Sequence, residues 1–217
     1  MQIKLKRMIY FIASATGLII LTPILGLVSL CVWIFMGVPI LYRQERIGWN
    51  GETFRIYKFR TMTDVLDAEE NLLPDTERLT RFGRFLRASS LDELPELVNV
   101  LKGEMSIVGP RPLHTRYRDR YSAFQWRRHE VRPGITGWVQ INGRNALTWD
   151  KKFELDVWYV DHWNLWLDLK IFMATLWIVF RMSQVNESRE ETMPEFMGNT
   201  ASDRSRRAGF SDRGGAP

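Results

Sequence analysis

The sequence feature that most constrains the fold is a run of 35 residues, from Met8 to Tyr42, that contains no charged side chain. A helix of about 20 apolar residues already crosses the roughly 30 Å hydrocarbon core of a bilayer. The run is too long for the apolar part of a signal peptide, and no small-residue cleavage site before a polar start ends it. We therefore predict that it is a membrane segment that anchors the rest of the chain.

Thr22 and Pro23 lie near the middle of this run. They divide it into arms of about 15 residues, each roughly 22 to 24 Å long as a helix and therefore shorter than the hydrocarbon core. Basic residues flank both ends, and the positive-inside rule then places both ends in the cytoplasm. The flanking residues are Lys4, Lys6, Arg7, Arg43 and Arg46. We expect a re-entrant membrane helix hairpin broken at Thr22 and Pro23, and a tilted transmembrane helix kinked at the proline is the alternative.

Charge and length allow several classes of partner. The chain has 30 Lys and Arg against 25 Asp and Glu, a net charge of +5, which suits nucleic acid, anionic lipid or a phosphorylated substrate. The single cysteine, Cys31, lies inside the apolar run, so we expect neither a disulfide framework nor a cysteine zinc site. The length fits a membrane anchor at 1–42, one domain at 43–183 and a polar tail at 184–217 that is disordered from about residue 200.

Short strands and helices follow the anchor and predict an α+β domain. Ile40 to Ile47 and Thr53 to Phe59 have the pattern of two strands, and Asn50-Gly51 between them is a strong hairpin signal. Lys58 and Arg60 then point to one face of the chain, where they address one anion or are simply solvated.

Other segments complete this domain. Leu79 to Leu86 predicts a short helix, and Val139 to Ile141 predicts a short strand. Lys151 to Arg181 predicts a helical segment that lies in the membrane interface or packs beneath the anchor.

Two adjacent carboxylates, Asp92 and Glu93, lie at the start of a predicted helix. Its buried face is predicted from four residues at helical spacing, namely Leu94, Leu97, Val98 and Leu101. Ser90 and Glu93 fit a capping box, which would make the acids structural. Pro95 argues instead for a helix that starts nearer Asp92.

Arginines surround these two acids in the sequence. Arg87 precedes them, and Arg111 follows between Pro110 and Pro112, which fix the backbone on both sides. Cations that cradle phosphates, with a carboxylate that holds a divalent metal or attacks phosphorus, are what a site for a phosphorylated substrate needs.

The segment from Arg116 to Arg132 is strongly basic and contains aromatic residues, which are Tyr117, Tyr121, Phe124 and Trp126. Such a composition occurs in nucleic-acid binding proteins, but beside a membrane anchor it favours a surface at the level of lipid headgroups. The three histidines lack metal-ligand spacing, and the sequence contains no P-loop, no Gly-x-Gly-x-x-Gly and no Asp-x-Asp motif.

Taken together, six sequence blocks resemble those of the bacterial sugar transferases, the small monotopic polyprenyl-phosphate phosphoglycosyl transferases. The blocks are Lys58 to Met62, Ser90 to Glu93, Asn99 to Gly103, Val108 to Pro112, Arg132 to Trp138 and Asn142 to Arg144. Within the family, the segments Lys152 to Val157 and Leu167 to Lys170 are most similar to the bacillosamine-phosphate transferase of bacterial N-linked glycosylation. The resemblance implies a re-entrant helix and one catalytic domain on the cytoplasmic face of the bacterial inner membrane.

The resemblance also implies a reaction and its residues. It makes Asp92 the nucleophile, with Glu93 beside it, and places Mg2+ at Asp92 and possibly at Glu93. The implied substrate-binding residues are Lys58, Arg60, Arg87, Pro110, Arg111, Pro112, Arg132, Thr136, Gln140, Arg144 and Asp168. Asp92 would take a sugar phosphate from a UDP-sugar, expel UMP, and pass the sugar phosphate to undecaprenyl phosphate.

The implied partners are the UDP-sugar, undecaprenyl phosphate, inner-membrane phospholipid and the downstream glycosyltransferases of the pathway, without nucleic acid. An N-acetylated amino sugar such as N,N'-diacetylbacillosamine is the expected cargo. Two alternatives stay open at this point: direct transfer in which Asp92 only binds Mg2+, and a membrane-tethered scaffold in which the acids are helix caps.

Overall fold

A computed structural model describes residues 2–143, 146–182 and 195–198 of the chain. One long helix lies against a small body that contains short helices and two small two-stranded sheets. The helices are α1 (Gln2–Met36), α2 (Asp75–Arg78), α3 (Arg81–Ala88), α4 (Glu96–Lys102), α5 (Ala123–Trp126), α6 (Trp138–Ile141), α7 (Trp149–His162) and α8 (Leu165–Met182). The strands are β1 (Leu41–Ile47), β2 (Thr53–Phe59), β3 (Ser106–Val108) and β4 (Gly134–Thr136). The predicted α+β composition is therefore correct.

Helix α1 runs without interruption through 35 residues, including Pro23. The two separate helices expected around Thr22 and Pro23 are not seen, because a proline removes only one backbone hydrogen bond and a long helix tolerates it. The Thr22 hydroxyl donates to the Leu18 carbonyl at 2.8 Å, one turn earlier. By length and composition α1 could cross a membrane, which alone is weak evidence. The re-entrant path stays a prediction.

The hairpin predicted after the anchor is confirmed. Strands β1 and β2 pair antiparallel, from Leu41 opposite Phe59 to Ile47 opposite Thr53. The turn between them places Asn50 at φ 53° and Gly51 at φ 81°, in the left-handed region that these two residue types tolerate.

The second sheet corrects one prediction. Strands β3 and β4 pair in parallel, with Ser106 opposite Gly134 and Val108 opposite Thr136. The predicted strand at Val139 to Ile141 is wrong, because these residues belong to helix α6. The backbones approach so closely at Gly134 that a Cβ there would lie 2.1 Å from the Gly109 amide nitrogen. A run of three residues is too short for periodicity to distinguish strand from helix.

Helix α4 follows a 3-10 turn at Leu91–Glu93. Its buried residues are Glu96, Asn99 and Val100, so the buried face predicted from Leu94, Leu97, Val98 and Leu101 is wrong. These four apolar residues are only partly buried. Leu97 faces α1, where a Cβ on Gly17 would lie 3.7 Å from its Cδ1. Helix α4 therefore turns Leu97 toward α1, whereas Val100 packs in the core of the body.

Asn99 explains which face of α4 is buried. Its side-chain oxygen accepts from the Tyr57 amide at 3.1 Å, and its nitrogen donates to the Arg55 carbonyl and the Glu104 carboxylate, each at 2.7 Å. These bonds fix α4 to strand β2 through a polar side chain. Ser90, at φ 57°, makes no side-chain cap, so the capping-box alternative is excluded.

The C-terminal half contains two helices instead of one continuous segment, since α7 ends at His162 and α8 begins at Leu165. The short segment 195–198 within the predicted polar tail packs on the body. Phe196 is buried against Tyr117, Phe153 and their neighbours. Tyr117 and Tyr121 therefore belong to a packed aromatic cluster and not to a lipid-facing surface. The segment predicted to be disordered, from about residue 200, lies outside the described residues.

Gly83 in α3 offers a test of this packing. A Cβ at Gly83 would lie 1.9 Å from the Thr61 carbonyl oxygen, so Gly83→Ala should destabilise the protein by roughly 1 to 3 kcal/mol through overpacking. Alanine otherwise favours a helix over glycine by about 1 kcal/mol. The expected measurement is a lower Tm in detergent or nanodiscs.

Gly26 in α1 is the matched control, because a Cβ there meets nothing within 4 Å. Gly26→Ala should leave Tm unchanged or raise it. A Gly83→Ala protein as stable as the wild type would contradict the close contact between α3 and Thr61.

Candidate active site

Three segments that are distant in sequence meet beside the 3-10 turn at Leu91–Glu93. The turn presents Asp92 and Glu93, strand β2 presents Lys58 near its end, and the loop after β3 presents Arg111. The Pro110 carbonyl accepts from the Gly134 amide at 3.0 Å. Sheet pairing and the two flanking prolines thus hold the backbone on which Arg111 is carried.

Glu93 is the carboxylate that joins these segments. Its Oε1 accepts from Lys58 Nζ at 2.6 Å and from an Arg111 guanidinium nitrogen. Burial alone would raise the pKa of Glu93, but the charges of Arg111 and Lys58, with hydrogen bonds from both, outweigh burial and hold that pKa well below its usual range. Glu93 is therefore ionised at any pH of interest.

Asp92 has a different environment, although it is the neighbouring residue. It is 8% exposed, and among the described residues no side chain or amide donates a hydrogen bond to its carboxylate. Burial, and then the charge of Glu93, raise the pKa of Asp92 to about 6 against the opposing charges of Lys58, Arg111 and Arg87. The site thus contains one carboxylate fixed by cations and one whose lone pairs are free.

Arg87 completes the cationic surroundings of Asp92. It lies in the last turn of α3, and its Nε donates to the Thr61 hydroxyl at 3.1 Å. Only one of its guanidinium nitrogens is used in this bond, and its charge is felt at Asp92. The guanidinium is therefore held near the free carboxylate with donors to spare.

Glu96 belongs to the same cluster and was missed from the sequence. Its carboxylate lies 3.2 Å from Lys58 Nζ and the residue is 1% exposed. Burial, and then the charge of Glu93, raise the pKa of Glu96 to about 7. The only sequence signal was its helical spacing from Asp92 and Glu93, which the assignment of the buried face of α4 to its leucines obscured.

Three of the predicted substrate-binding residues lie away from this cluster. Arg60 donates to the carbonyls of Met36, Val38 and Met62, each at 3.0 Å, and pairs with Asp64. Arg60 therefore holds the end of α1.

Asp168 and Arg132 are the other two. Asp168 accepts from Tyr10 at 2.8 Å and from Tyr159, and it pairs with Lys6 at 2.9 Å. Arg132 donates to the Gly103 carbonyl at 2.8 Å and stacks over Trp49. In this structure both residues tie elements of the body together.

The remaining predicted residues form the support behind the Arg111 loop. Pro110 and Pro112 are buried. The hydroxyls of Thr136 and Thr175 are 2.7 Å apart. The side-chain amide of Gln140 is buried with no partner among the residues that the structure describes. Arg144 lies outside the described residues.

The site offers few ligands for a divalent metal. Within 2–143, 146–182 and 195–198 no group of three or more His, Cys, Asp or Glu residues is arranged to hold an ion. Mg2+ is commonly bound through one or two carboxylates together with substrate phosphates. The free carboxylate of Asp92 fits that mode, whereas the Oε1 atom of Glu93 is already shared by two cations.

The two acids should affect stability in opposite directions. Asp92 has a pKa raised from 3.8 to about 6, so its stabilising contribution is complete below pH 3.8 and is lost as the pH rises through about 6. Asp92→Asn should then raise the stability at pH 8 by on the order of 2 kcal/mol, and by little at pH 4.

Glu93→Gln is the matched variant. It leaves Lys58 and Arg111 without their ionised partner, so it should lower stability at pH 8 by roughly 1 to 3 kcal/mol. The loss is smaller than for a fully buried pair, because the Arg111 side chain is 45% exposed. The measurement is thermal or denaturant unfolding at both pH values without divalent cations. A loss of stability in Asp92→Asn at pH 8 would contradict the described burial of an unpaired carboxylate.

Comparisons with known proteins agree with the motifs in this site. Residues 1–182 match the family described as bacterial sugar transferase. The chain is 50% identical over 196 residues to the uncharacterized sugar transferase EpsL of Bacillus subtilis. The matched region covers 90% of this chain and 96% of EpsL. It is 40% identical over 182 residues to the UDP-glucose:undecaprenyl-phosphate glucose-1-phosphate transferase of Klebsiella pneumoniae, which covers 79% of this chain and 39% of that protein.

A relative of the same name in Caulobacter vibrioides is 40% identical over 185 residues, covering 79% of this chain and 68% of the relative. The match to the family extends from α1 through the two acids and the Arg111 loop to the end of α8. The chain therefore belongs to the bacterial sugar transferase family, and it is a transferase.

Proposed function

We propose that this protein transfers a sugar 1-phosphate from a UDP-sugar to undecaprenyl phosphate and releases UMP. Relatives named for this type of reaction support the substrate classes. The observation that carries the proposal is that two adjacent acids have different surroundings. Glu93 is paired with Lys58 and Arg111, whereas the buried Asp92 carboxylate beside them has no ion pair in the described part of the chain. A buried carboxylate without hydrogen bonds is poorly stabilised as an anion, which makes it a good nucleophile.

In the first half-reaction, an Asp92 carboxylate oxygen attacks the phosphorus that carries the sugar. The bond from this phosphorus to the bridging oxygen breaks, and UMP leaves with the electron pair. In the second half-reaction, an oxygen of undecaprenyl phosphate attacks the same phosphorus and Asp92 leaves as the carboxylate. One diphosphate bond is broken and another is formed, so the overall free-energy change of the reaction is close to zero.

The cations of the site have two tasks in this mechanism. Lys58, Arg87 and Arg111 bring positive charge to the position where the negative charge of the leaving phosphate develops. Glu93 holds Lys58 and Arg111 in place, and the Glu96 carboxylate lies 3.2 Å from Lys58 Nζ. Their donors are therefore positioned before the substrate arrives, which lowers the reorganisation that the reaction requires.

Magnesium is the proposed cofactor. Asp92 would hold it together with substrate phosphates, and Glu93 is a possible second ligand only if it releases a cation. When bound, the ion would neutralise part of the negative charge of the diphosphate. Direct transfer, in which Asp92 serves only the metal, is the competing mechanism for the same overall reaction.

For the sugar, we propose an N-acetylated amino sugar such as N,N'-diacetylbacillosamine, based on the resemblance at Lys152 to Val157 and Leu167 to Lys170. UDP-glucose is the second candidate, because it is the donor named for several relatives. The product would be the first membrane-bound intermediate of a glycoconjugate, and downstream glycosyltransferases would extend it.

Covalent catalysis predicts a labelled protein. Incubation with a UDP-sugar labelled in the phosphate next to the sugar, with Mg2+ and without lipid acceptor, should release about one UMP per enzyme and label the Asp92 peptide. Asp92→Asn should release no UMP and carry no label. Asp119 is an exposed acid outside the site, so Asp119→Asn should behave as the wild type. Parallel reactions with UDP-N,N'-diacetylbacillosamine and UDP-glucose identify the donor.

Direct displacement gives UMP only when the acceptor lipid is added, and it leaves the protein unlabelled. A membrane-tethered scaffold gives no UMP under any condition. Either result would contradict the proposed mechanism, and the second would also remove the proposed activity.

We also propose that α1 is re-entrant and that the catalytic body faces the cytoplasm at the bacterial inner membrane. Both ends of α1 contact the same body. Arg7 donates to the Val100 and Leu101 carbonyls at the end of α4, and the Met36 carbonyl accepts from Arg60. Exposed apolar side chains on α3 and α8, among them Phe85, Trp166 and Trp177, suit a body that rests on the lipid surface.

Cysteine labelling tests this topology, because Cys31 is the only native cysteine. In a Cys31→Ser background, Gln2→Cys and Glu69→Cys should react with a membrane-impermeant maleimide only after the inner membrane is opened. Glu69 reports the body, since it lies in an exposed loop. Labelling of Gln2→Cys from the periplasm in intact spheroplasts would show a spanning helix.

A further inference from the structure

Arg46 is a largely buried arginine whose charge has no ion-pair partner in the described part of the chain. It lies on β1, and its NH2 donates to the Gln44 side-chain oxygen at 2.6 Å. Its NH1 reaches the Pro112 carbonyl only at 3.5 Å, and its Nε is buried without any hydrogen bond. The guanidinium therefore retains an unused donor inside the protein.

Other buried arginines in the same molecule show what is unusual about Arg46. Arg128 pairs with Asp156 at 2.8 Å, and Arg60 pairs with Asp64 while it donates to three carbonyls. Buried charges in proteins are normally paired in this way, because an unpaired charge is costly to remove from water. A long contact with one carbonyl is too weak to account for burying Arg46.

The position of Arg46 connects it to the site. The carbonyl that it approaches belongs to Pro112, the residue after Arg111, and the backbone of Arg46 bridges to His114. Burial, and then the nearby charge of Arg111, lower the pKa of Arg46 to about 10. The Arg46 side chain thus approaches the loop that carries Arg111, and the Glu93 carboxylate contacts only Arg111 of the two arginines.

We propose that Arg46 is a further substrate-binding residue, whose unpaired guanidinium charge and weakly used NH1 donors bind a substrate phosphate held jointly with Arg111. The chemistry that fits is a phosphate monoester or diester oxygen, since guanidinium groups donate to such oxygens in a fixed geometry. Two sources carry this group at the proposed site: the nucleotide phosphate that leaves as UMP, and the phosphate of the acceptor lipid. The inference rests on the proposed function for its choice of ligands.

The test compares phosphate-bearing and phosphate-free ligands. In an Asp92→Asn background, which stops turnover, the affinities for UMP and for uridine are measured by equilibrium titration without Mg2+. Arg46→Gln should weaken UMP binding by about 10- to 100-fold, the size of a lost charge-assisted hydrogen bond. Uridine binding should change less than 3-fold. Arg46→Lys keeps the charge without the fork of donors and should fall in between.

Arg55→Gln is the matched control, because Arg55 lies on the same hairpin and its side chain is 67% exposed. It should leave the ratio of UMP to uridine affinity unchanged. Arg46→Gln could instead leave the UMP affinity unchanged and raise the KM for undecaprenyl phosphate in a protein that retains Asp92. The phosphate bound by Arg46 is then that of the lipid, and the proposal is supported.

Two results would overturn the inference. One is an unchanged affinity ratio together with an unchanged KM for the acceptor in a folded Arg46→Gln protein. The other is an equal loss of UMP and uridine binding with a lowered Tm, which shows that Arg46 only supports the structure. The titrations need no transfer reaction. The proposed role of Arg46 can therefore be contradicted while the proposed function is supported, and the proposed function can be contradicted while Arg46 still binds phosphate.

Discussion

The structure depends most on the ion cluster centred on Glu93. This carboxylate receives donors from Lys58 and Arg111, which lie 35 and 18 residues away in the chain. The cluster therefore fixes β2, the 3-10 turn and the loop after β3 relative to one another. Removing one member of a buried ion pair costs far more than the pair contributes, because the partner is left buried and unpaired. Burial, and then the negative charge of Glu93 in this cluster, raise the pKa of the neighbouring Asp92 carboxyl.

The membrane helix is attached to this cluster through backbone carbonyls at helix ends. Arg7 near the start of α1 caps the end of α4, the helix that follows Asp92 and Glu93. Arg60 caps the end of α1 and directly follows strand β2, which carries Lys58. The last carbonyls of a helix lack partners within the helix, so cations satisfy both their hydrogen bonds and the helix dipole. Both ends of α1 are thereby attached to the cluster of Asp92, Glu93, Lys58 and Arg111.

The sequence alone could predict elements that local chemistry determines. Asn50-Gly51 predicted the hairpin, which is observed. The charge density around Asp92, Glu93 and Arg111 predicted a site there, and the structure brings these three residues together. The buried face of α4 could not be predicted, because Asn99 directs it through hydrogen bonds to β2 and its leucines face α1. Glu96 was hidden by the same error. The sequence also could not show that Arg60, predicted to bind substrate, donates to three backbone carbonyls. These failures share one cause, which is that tertiary partners decide between a solvated, a structural and a catalytic charge.

The central claim is that Asp92, with a pKa raised by burial and by Glu93, is the nucleophile. The most direct test is the pH dependence of the second-order rate constant for single-turnover UMP release, measured at low UDP-sugar concentration without acceptor lipid. This constant reports the free enzyme and excludes titration of the acceptor phosphate. The account predicts a plateau above pH 7 and a fall of about tenfold per pH unit below an apparent pKa of about 6. A rate that stays constant down to pH 5, or that persists in Asp92→Asn, would contradict it.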